Sequence, residues 1–326
     1  MLAGDVGGTN LRLGLFRGDP ESLEPVVVEV VPTRGSANLA ALAHSFLERH
    51  GAAPSAAAFG VASPVLANRA EGASLPWPVD ARELARAFGI ERVALLNDLQ
   101  ANAHGLAALQ KADLSVLNVG APDPNGSRVL ISAGTGLGMA LIHPYNGEFL
   151  PVPSEGGHAA FAPRNELEIE LLRWLSARQG RVVNEDLVSG RGLVNLYQFL
   201  RDTKRGVEPD WLAKRLSSGD AAAVIAQTAL EGSCALSSKA LDLFVDLYGA
   251  IAGDAALSMF ATGGVYIGGG IAPKILPRIV ERFMAAFTNK GRVSPLVGAM
   301  PVSVVLDDRA ALLGAALAAA ISARRR

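Results

Sequence analysis

The sequence of 326 residues has almost no cysteine, because Cys234 is the only one. A lone cysteine forms no intrachain disulfide and supplies no thiolate zinc cluster, so neither a disulfide-stapled fold nor such a zinc site is expected. Cys234 lies in an apolar stretch with helical spacing, which favours a buried, unreactive thiol. The five histidines are scattered along the chain, and their spacing does not indicate a metal site.

The sequence also lacks a long hydrophobic run and an excess of charge of either sign. Its longest apolar run, 310–321, spans about 12 residues, whereas a membrane-spanning helix needs roughly 20. The 30 basic and 31 acidic residues leave a net charge of −1, which disfavours nucleic acid as a main partner because phosphate neutralisation needs a basic surface. No secretory signal pattern precedes the first predicted strand. We therefore expect a cytoplasmic protein with no membrane or nucleic-acid partner.

What the sequence does have is a polar turn close to its first residue. An apolar stretch runs into Asp5, and leucines alternate with other residues from Leu11 onward, which predicts a β-hairpin. Its turn holds Gly7, Gly8 and Thr9; the glycines lack a Cβ, so backbone N–H groups can approach an anion closely. The Asp5 carboxylate is suited to organise a hydrated metal ion. A plain hairpin turn would accept the same residues, so the motif alone does not decide.

The same pattern returns about 127 residues later. A predicted strand, 129–133, runs into Gly134, Thr135 and Gly136, and a second strand follows at 139–142. Thr9 and Thr135 are suited to hydrogen-bond phosphate oxygens, and a third glycine turn, around Gly269, leaves room for a base or ribose. None of the turns fits the Walker A or the dinucleotide-binding fingerprint. The repeat predicts two related halves that face each other across a cleft and hold a nucleotide.

The order of the predicted elements indicates an α/β protein of two domains. Half of the residues are hydrophobic, and the length is sufficient for two cores. Three strands followed by alternating helices and strands predict a small α/β domain over 1–108, completed by a C-terminal segment, 300–326. The larger and more helical α/β domain spans 109–299.

Asn97 and Asp98 stand at the carboxyl end of a buried strand, 93–96, where open α/β sheets bind ligands. One interpretation makes Asp98 the N-cap of a helix that starts near Leu99. The other makes it the group that orients a substrate hydroxyl and accepts its proton. With an ordinary pKa of about 3.9 it is ionised at neutral pH, and in phosphoryl transfer positioning matters more than base strength.

A second polar cluster is formed by Glu155, Gly156, Gly157 and His158. The central glycines argue against a helix. They therefore also argue against a metal site of the Glu-x-x-His type, which needs both residues on one helix. A loop that presents a carboxylate and an imidazole suits neighbouring sugar hydroxyls, although an ordinary hydrogen-bonded histidine is the alternative. Glu185 is a weaker candidate, since its local sequence favours a solvated glutamate.

Taken together, these motifs resemble the bacterial glucokinase family that lacks the zinc-binding cysteine cluster. The matching runs are 5–10, 96–98, 134–138, 155–158 with 161–163, 189–197 and 263–271, in family order over nearly the whole chain. The resemblance implies a two-domain, actin-like, ribonuclease-H-type fold with an interdomain cleft. It implies phosphorylation of glucose at its 6-hydroxyl by ATP with Mg²⁺, and it suggests a homodimer.

The resemblance also assigns roles to the candidate residues. Asp98 is expected to be the catalytic base, and the expected glucose ligands are Asn97, Asp98, Glu155, His158 and Glu185. The expected nucleotide site comprises Gly4, Asp5, Val6, Gly7, Gly8 and Thr9, together with Gly134, Thr135, Gly136 and Gly269. Asp5 is expected to hold Mg²⁺ through water.

One residue departs from the family pattern. Ser74 stands where the family often has asparagine, so a sugar contact there is lost or bridged by water.

Three other functions are alternatives to this one. The nearest alternative is a kinase of the same fold that acts on another hexose or an amino sugar. A sugar-responsive regulator would need a DNA-binding segment, for which a strand starting near residue 2 leaves no room. An actin- or chaperone-like ATPase would not need the polar loop 155–158.

Overall fold

The chain contains both strands and helices in its two halves, as the hydrophobic periodicity predicts, and the second half is the more helical one. The computed structural model describes residues 1–72, 75–146 and 148–324. Its strands are β1 (Leu2–Val6), β2 (Asn10–Arg17), β3 (Glu24–Pro32), β4 (Ala57–Val61), β5 (Val65–Leu66), β6 (Arg69–Ala70), β7 (Val79–Asp80), β8 (Val93–Asn97), β9 (Leu114–Asn118), β10 (Arg128–Ala133), β11 (Leu137–Tyr145), β12 (Glu148–Ser154), β13 (Gly264–Gly268) and β14 (Val302–Val305). Its α-helices are α1 (Leu39–Arg49), α2 (Ala81–Phe88), α3 (Asp98–Gly105), α4 (Glu166–Gln179), α5 (Gly190–Asp202), α6 (Asp210–Ser217), α7 (Ala221–Leu230), α8 (Ala235–Ser258), α9 (Leu276–Thr288), α10 (Ser294–Gly298) and α11 (Ala310–Arg324).

The first of two compact units contains residues 1–111, 150–153 and 307–326. Its sheet has the strand order β3-β2-β1-β4-β8, in which β1, β4 and β8 run parallel. In this register Val6 lies opposite Val61, which in turn lies opposite Asn97. The carboxyl ends of these strands therefore share one edge of the sheet. Because side chains alternate between the faces of a strand, Leu2 packs under α1 and α2, while Ala3 packs under α11.

Helix α11 crosses α3 at a contact made of backbone and small residues. A Cβ at Gly314 would overlap the carbonyl oxygen of Ala101, and one at Gly105 would overlap that of Ala310. The two helices approach this closely only because both positions are glycine. The crossing fixes α3, whose N-terminus follows Asn97 directly.

The second unit contains residues 112–149 and 154–306. Its sheet has the order β12-β11-β10-β13-β14-β9, with β10, β13 and β14 parallel. The long helix α8 is buried along much of its length and contributes Leu241, Phe244 and Tyr248 to the core. Because β14 pairs with β13 here, the segment 302–305 belongs to this sheet, and only residues from 307 onward join the first unit.

Several local features differ from the sequence-based expectation. The sequence predicts one short helix over 79–88, but residues 79–80 form the last strand of a small sheet, β5-β6-β7. The sequence also predicts a solvated side chain for Glu168, but on α4 this residue is 1% exposed and forms an ion pair with Arg164. Cys234 is buried, as expected. Within the described ranges, the helices are all too short or too polar to cross a bilayer.

Candidate active site

The first glycine turn, residues 7–9, connects β1 to β2 and is held in place from behind. The N–H of Gly7 donates to the carbonyl of Asn10 at 3.0 Å. Thr33, 1% exposed, donates its hydroxyl to the carbonyl of Gly8 at 2.9 Å and its N–H to that of Thr9 at 3.0 Å. The turn residues themselves are open to solvent at Gly8 and Thr9. Two of its carbonyls are thus occupied, which leaves the exposed side of the turn for an anion.

Asp5 stands on β1 just before this turn, opposite Arg12 on β2. Burial raises the pKa of the Asp5 carboxyl; the Arg12 guanidinium acts in the opposite direction and the Asp308 carboxylate in the same one. Arg12 donates to Asp308 Oδ2 at 2.8 Å, so its charge is shared. The neighbours of Asp5 are structural: Val6 is buried, and the Phe59 ring fills the space where Gly4 would carry a Cβ.

Asn97 ends β8 and caps α3. Its Oδ1 accepts the N–H of Gln100 at 2.6 Å, and Gln100 Oε1 accepts the N–H of Asn97 at 3.2 Å, which completes a capping box. The interpretation of Asp98 as the N-cap is therefore wrong, since Asp98 is the first residue of the helix and its Oδ1 accepts the N–H of Leu99 at 2.9 Å. The Asp98 carboxylate lies in the first turn of α3, beside the positive end of the helix dipole.

In the first unit the structure brings these predicted residues to one edge of the sheet. β1 and β8 are separated by β4 alone, so Val6 and Asn97 lie about 10 Å apart at the strand spacing of ~4.8 Å. The first glycine turn and the Asn97–Asp98 pair therefore face the same solvent region.

The second glycine turn, residues 134–136, connects β10 to β11. The N–H of Gly134 donates to the carbonyl of Gly136, and the carbonyl of Gly134 accepts the N–H of Gly190, both at 2.9 Å. The first residue of α5 is thus bonded to the turn, and the helix N-terminus adds positive potential there. Thr135 is exposed, as a phosphate ligand must be.

The third glycine turn lies beside the second one. Gly269, with φ +84°, follows β13, and a Cβ there would overlap the carbonyl of Ala133 at the end of β10. The buried hydroxyl of Tyr248 accepts the N–H of Ala133 at 3.2 Å and lies 3.3 Å from the carbonyl of Ile131 and 3.4 Å from that of Gly268. Tyr248 therefore joins the ends of both strands from below.

The loop with Glu155 and His158 forms a 3₁₀ turn that packs on β11. Gly157 lies so close to the carbonyl of Leu137 that a Cβ would overlap it, and a Cβ at Gly156 would lie 2.8 Å from Met139 Sδ. Both glycines are needed for this approach. Glu155 Oε2 lies 3.8 Å from His158 Nε2, with both side chains more than half exposed. The pair presents an acceptor and an imidazole to solvent.

Glu185 is not a solvated glutamate, because its side chain is only 22% exposed. Its Oε2 accepts the N–H of Leu137 at 3.0 Å, and its Oε1 lies 3.7 Å from Arg191 Nη2. Within the second unit the structure therefore brings Glu185, the 134–136 turn and the 155–158 loop together around Leu137. Ser74 lies outside the described residues.

Some residues that build the site were missed by the sequence analysis, namely Thr33, Arg12, Tyr248 and Arg191. Thr33 directly follows the last residue of β3, and its local sequence carries no signal of its contacts with the turn. Arg191 lies within a recognised motif, but only the fold shows that its guanidinium meets Glu185 and Asp186.

Comparisons with known proteins give a consistent result. The family model described as Glucokinase matches residues 2–322. A curated glucokinase of Nostoc punctiforme is 40% identical over 336 aligned residues, covering 98% of both chains. The crystal structure of a glucokinase from an Antarctic psychrotroph superposes with a TM-score of 0.86 at 29% identity, covering 98% of both chains. That of a Balamuthia mandrillaris glucokinase in complex with glucose has a TM-score of 0.78 at 23% identity, covering 98% of this chain and 92% of the other.

Proposed function

The chain belongs to the glucokinase family, and on that premise we propose that it is an ATP-dependent hexose kinase that converts D-glucose to glucose 6-phosphate. The observation that carries the proposal is the placement of Asp98. It directly follows Asn97, which ends β8 and caps α3, and it lies at the same edge of the sheet as the first glycine turn. A base and a phosphate site at one edge suit transfer from ATP to a hydroxyl.

Glucose is bound by side chains that differ in chemistry. We propose Asn97, Asp98, Glu155, His158 and Glu185 as its ligands. Since Asn97 uses its Oδ1 for capping, its amide group donates to a sugar oxygen. The carboxylates accept from sugar hydroxyls, and His158 completes the set from the same 3₁₀ turn as Glu155.

The nucleotide is bound by the glycine turns. Residues 4–9 and 134–136 hold the phosphates of ATP, with Thr9 and Thr135 as hydroxyl donors, and the turn at Gly269 accommodates the nucleoside. The first turn supports this, because its glycines carry no Cβ and its outer side is exposed. On its inner side the carbonyls of Gly8 and Thr9 already accept hydrogen bonds from Thr33.

The residues fit a bound Mg²⁺. Magnesium keeps several waters and uses one or two carboxylates together with substrate phosphates. Asp5 offers one such carboxylate, whose pKa burial raises, so that its charge is incompletely compensated by the protein. The described residues contain no cluster of three or more His, Cys, Asp or Glu side chains, which fits an ion held chiefly by ATP and water. When bound, Mg²⁺ neutralises charge on the phosphates.

Asp98 acts on the sugar hydroxyl. Its carboxylate orients the 6-hydroxyl and accepts its proton as the oxygen attacks the γ-phosphorus, while ADP leaves. Burial of Asn97 and the capping box hold the start of α3 rigid, so the carboxylate needs little reorganisation. The cytoplasmic location stays a prediction from the sequence, and the homodimer stays a prediction from the family resemblance.

The function is tested by a sugar panel. We expect ADP release with ATP to be fastest with glucose in a panel of glucose, mannose, fructose, N-acetylglucosamine and N-acetylmannosamine. A different preferred sugar would replace glucose within the same reaction class. ADP release that is independent of every sugar would contradict a sugar kinase.

The base assignment is tested by Asp98→Asn. We expect kcat to fall by roughly 10²–10⁴-fold or more, because a general base is lost, while calorimetry still detects glucose binding. Asp210→Asn is the matched control, since Asp210 is also the first residue of a helix and is exposed. Its turnover should equal that of the wild type. A kcat of Asp98→Asn within threefold of wild type would contradict the assignment.

A further inference from the structure

The two carboxylate oxygens of Glu185 have different surroundings. Oε2 faces the second glycine turn, where it accepts the N–H of Leu137 at 3.0 Å. This approach depends on Gly136, because a Cβ there would lie 2.5 Å from Oε2. Oε1 is farther from the turn, at 3.9 Å from the same Cβ position, and Arg191 Nη2 lies 3.7 Å from it. One side chain thus touches the turn and still presents an oxygen elsewhere.

Arg191 is itself anchored on a buried group. Its Nη2 donates to Asp186 Oδ1 at 2.9 Å, and the Asp186 side chain is 6% exposed. The other oxygen of Asp186 accepts the N–H of Val183 at 2.9 Å, which fixes the carboxylate. The backbone on either side is also held, since Ser189 donates its hydroxyl to the carbonyl of Glu185 at 2.8 Å. The guanidinium therefore has a defined place beside Glu185, although 63% of the side chain is exposed.

We propose that Arg191 is a positioning residue that aims Glu185 at glucose. Held by Asp186, it attracts Oε1 while the Leu137 N–H holds Oε2, and these two attachments set the orientation of the carboxylate. Glu185 then serves the sugar and the phosphate turn at once. This inference rests on the proposed function, because it takes Glu185 to be a glucose ligand.

Two other roles for Arg191 make different predictions. If it serves only as the partner of Asp186, its loss lowers stability and leaves the Michaelis constants unchanged. If its exposed guanidinium contacts an ATP phosphate directly, its loss raises the KM for ATP whether or not Glu185 is intact.

A double-mutant cycle separates these roles. The variants are Arg191→Met, Arg191→Lys, Glu185→Gln and the Arg191→Met/Glu185→Gln double variant, each measured for KM(glucose), KM(ATP), kcat and thermal unfolding. We expect Arg191→Met to raise KM(glucose) about tenfold, with a smaller change in kcat, as residues of one network do. Arg191→Lys should recover most of this. In the Glu185→Gln background Arg191→Met should add less than about twofold, because Glu185 is no longer a carboxylate.

Arg201→Met is the matched control. Arg201 lies on the same helix and is 40% exposed, and its ion pairs are with Asp202 and Glu208. Both of its Michaelis constants should equal those of the wild type. If Arg191→Met does not fold, Gly136→Ala tests the same point from the other side, since it pushes Glu185 Oε2 from the turn and should also raise KM(glucose).

The inference is overturned by additive effects of Arg191→Met and Glu185→Gln, by an unchanged KM(glucose) in a folded Arg191→Met variant, or by a rise in KM(ATP) that persists in the Glu185→Gln background. Failure of the proposed function is distinguishable, because it would appear as absent glucose phosphorylation by the wild type.

Discussion

At the scale of one residue, the Asp5 carboxylate is unfavourable for the stability of the fold. Burial raises the pKa of its carboxyl, and the Asp308 carboxylate adds to that effect. The ionised form at neutral pH therefore lowers the free energy of unfolding. A carboxylate with a pKa perturbed in this way is a candidate functional group, which agrees with the proposed role of Asp5.

His104, on the helix that begins at Asp98, gives a pH prediction. Burial lowers its pKa below the ordinary value of about 6.5. The unfolded chain then binds a proton that the folded protein refuses, so stability falls as pH drops from about 6.5 toward the folded pKa, by at most about 1.4 kcal/mol per pH unit. His104→Gln should remove this part of the acid sensitivity. Urea unfolding at pH 7.5 and 5.5 measures it.

The control for His104 is the wild type in the same buffers. If both proteins lose the same free energy of unfolding between these pH values, the contribution of His104 is contradicted.

At the residue scale the sequence predicts which side chains have suitable chemistry, but not their partners. Asn97 and Asp98 were predicted as site residues from their position after a buried strand, whereas which of the two caps the helix depends on where the helix begins. Glu185 was expected to be solvated, because the Leu137 N–H that it binds is 48 residues away in the chain. Local patterns carry no signal of such a distant partner.

At the scale of elements, Tyr248 connects α8 to the ends of β10 and β13. Tyr248→Phe removes the acceptor of the Ala133 N–H and leaves a buried donor unpaired, which costs about 1–3 kcal/mol. We expect the free energy of unfolding in urea to fall by that amount. Since the second glycine turn starts at Gly134, KM(ATP) should also rise.

Tyr197→Phe is the matched control for this substitution. The Tyr197 hydroxyl is buried and has no hydrogen-bond partner among the residues that the structure describes; burial and then the nearby Glu208 raise its pKa. Removing it should be neutral or slightly stabilising. Equal losses in both variants would show that the Tyr248 bonds do not contribute.

Elements with strong periodicity were predictable, and short ones were not. The apolar spacing over 236–260 predicts a helix, which matches α8 within two residues, and the predicted strand 93–96 matches β8. The strands β5, β6 and β7 have two residues each, too few for an alternating pattern. The partner of β14 was also unpredictable, because strand order depends on contacts far apart in sequence.

At the scale of the whole molecule, α11 packs the C-terminal residues against α3 in the first unit, and Gly314→Ala tests this packing. Its Cβ would overlap the carbonyl of Ala101, so α11 and α3 must separate, at a cost of about 1–3 kcal/mol for overpacking. We expect a lower unfolding temperature and reduced turnover, because α3 carries Asp98.

Gly219→Ala is the control for this substitution, since the nearest atom to its Cβ would be the Arg215 carbonyl oxygen at 3.8 Å. If the Gly314→Ala variant is as stable as the wild type, the close contact of α11 with α3 does not contribute to stability as predicted.

The repeat of strand, glycine turn and strand predicted two related halves, and the family resemblance predicted the actin-like fold. Both copies are antiparallel hairpins, β1-β2 and β10-β11, each at the start of its sheet's parallel strands. The predicted actin-like fold class is confirmed by the superposition on a solved glucokinase. The domain boundaries that we predicted stay predictions, as do the roles of the site residues.

The position of the Leu137 backbone N–H and carbonyl has a consequence for NMR spectroscopy. Its N–H donates to Glu185, and its carbonyl lies against Gly157 of the loop 155–158. In a ¹⁵N-labelled sample the Leu137 amide resonance is therefore a natural reporter for titrations. A frequency change on adding glucose alone, and another on adding nucleotide alone, would be read from a single nucleus without any attached dye.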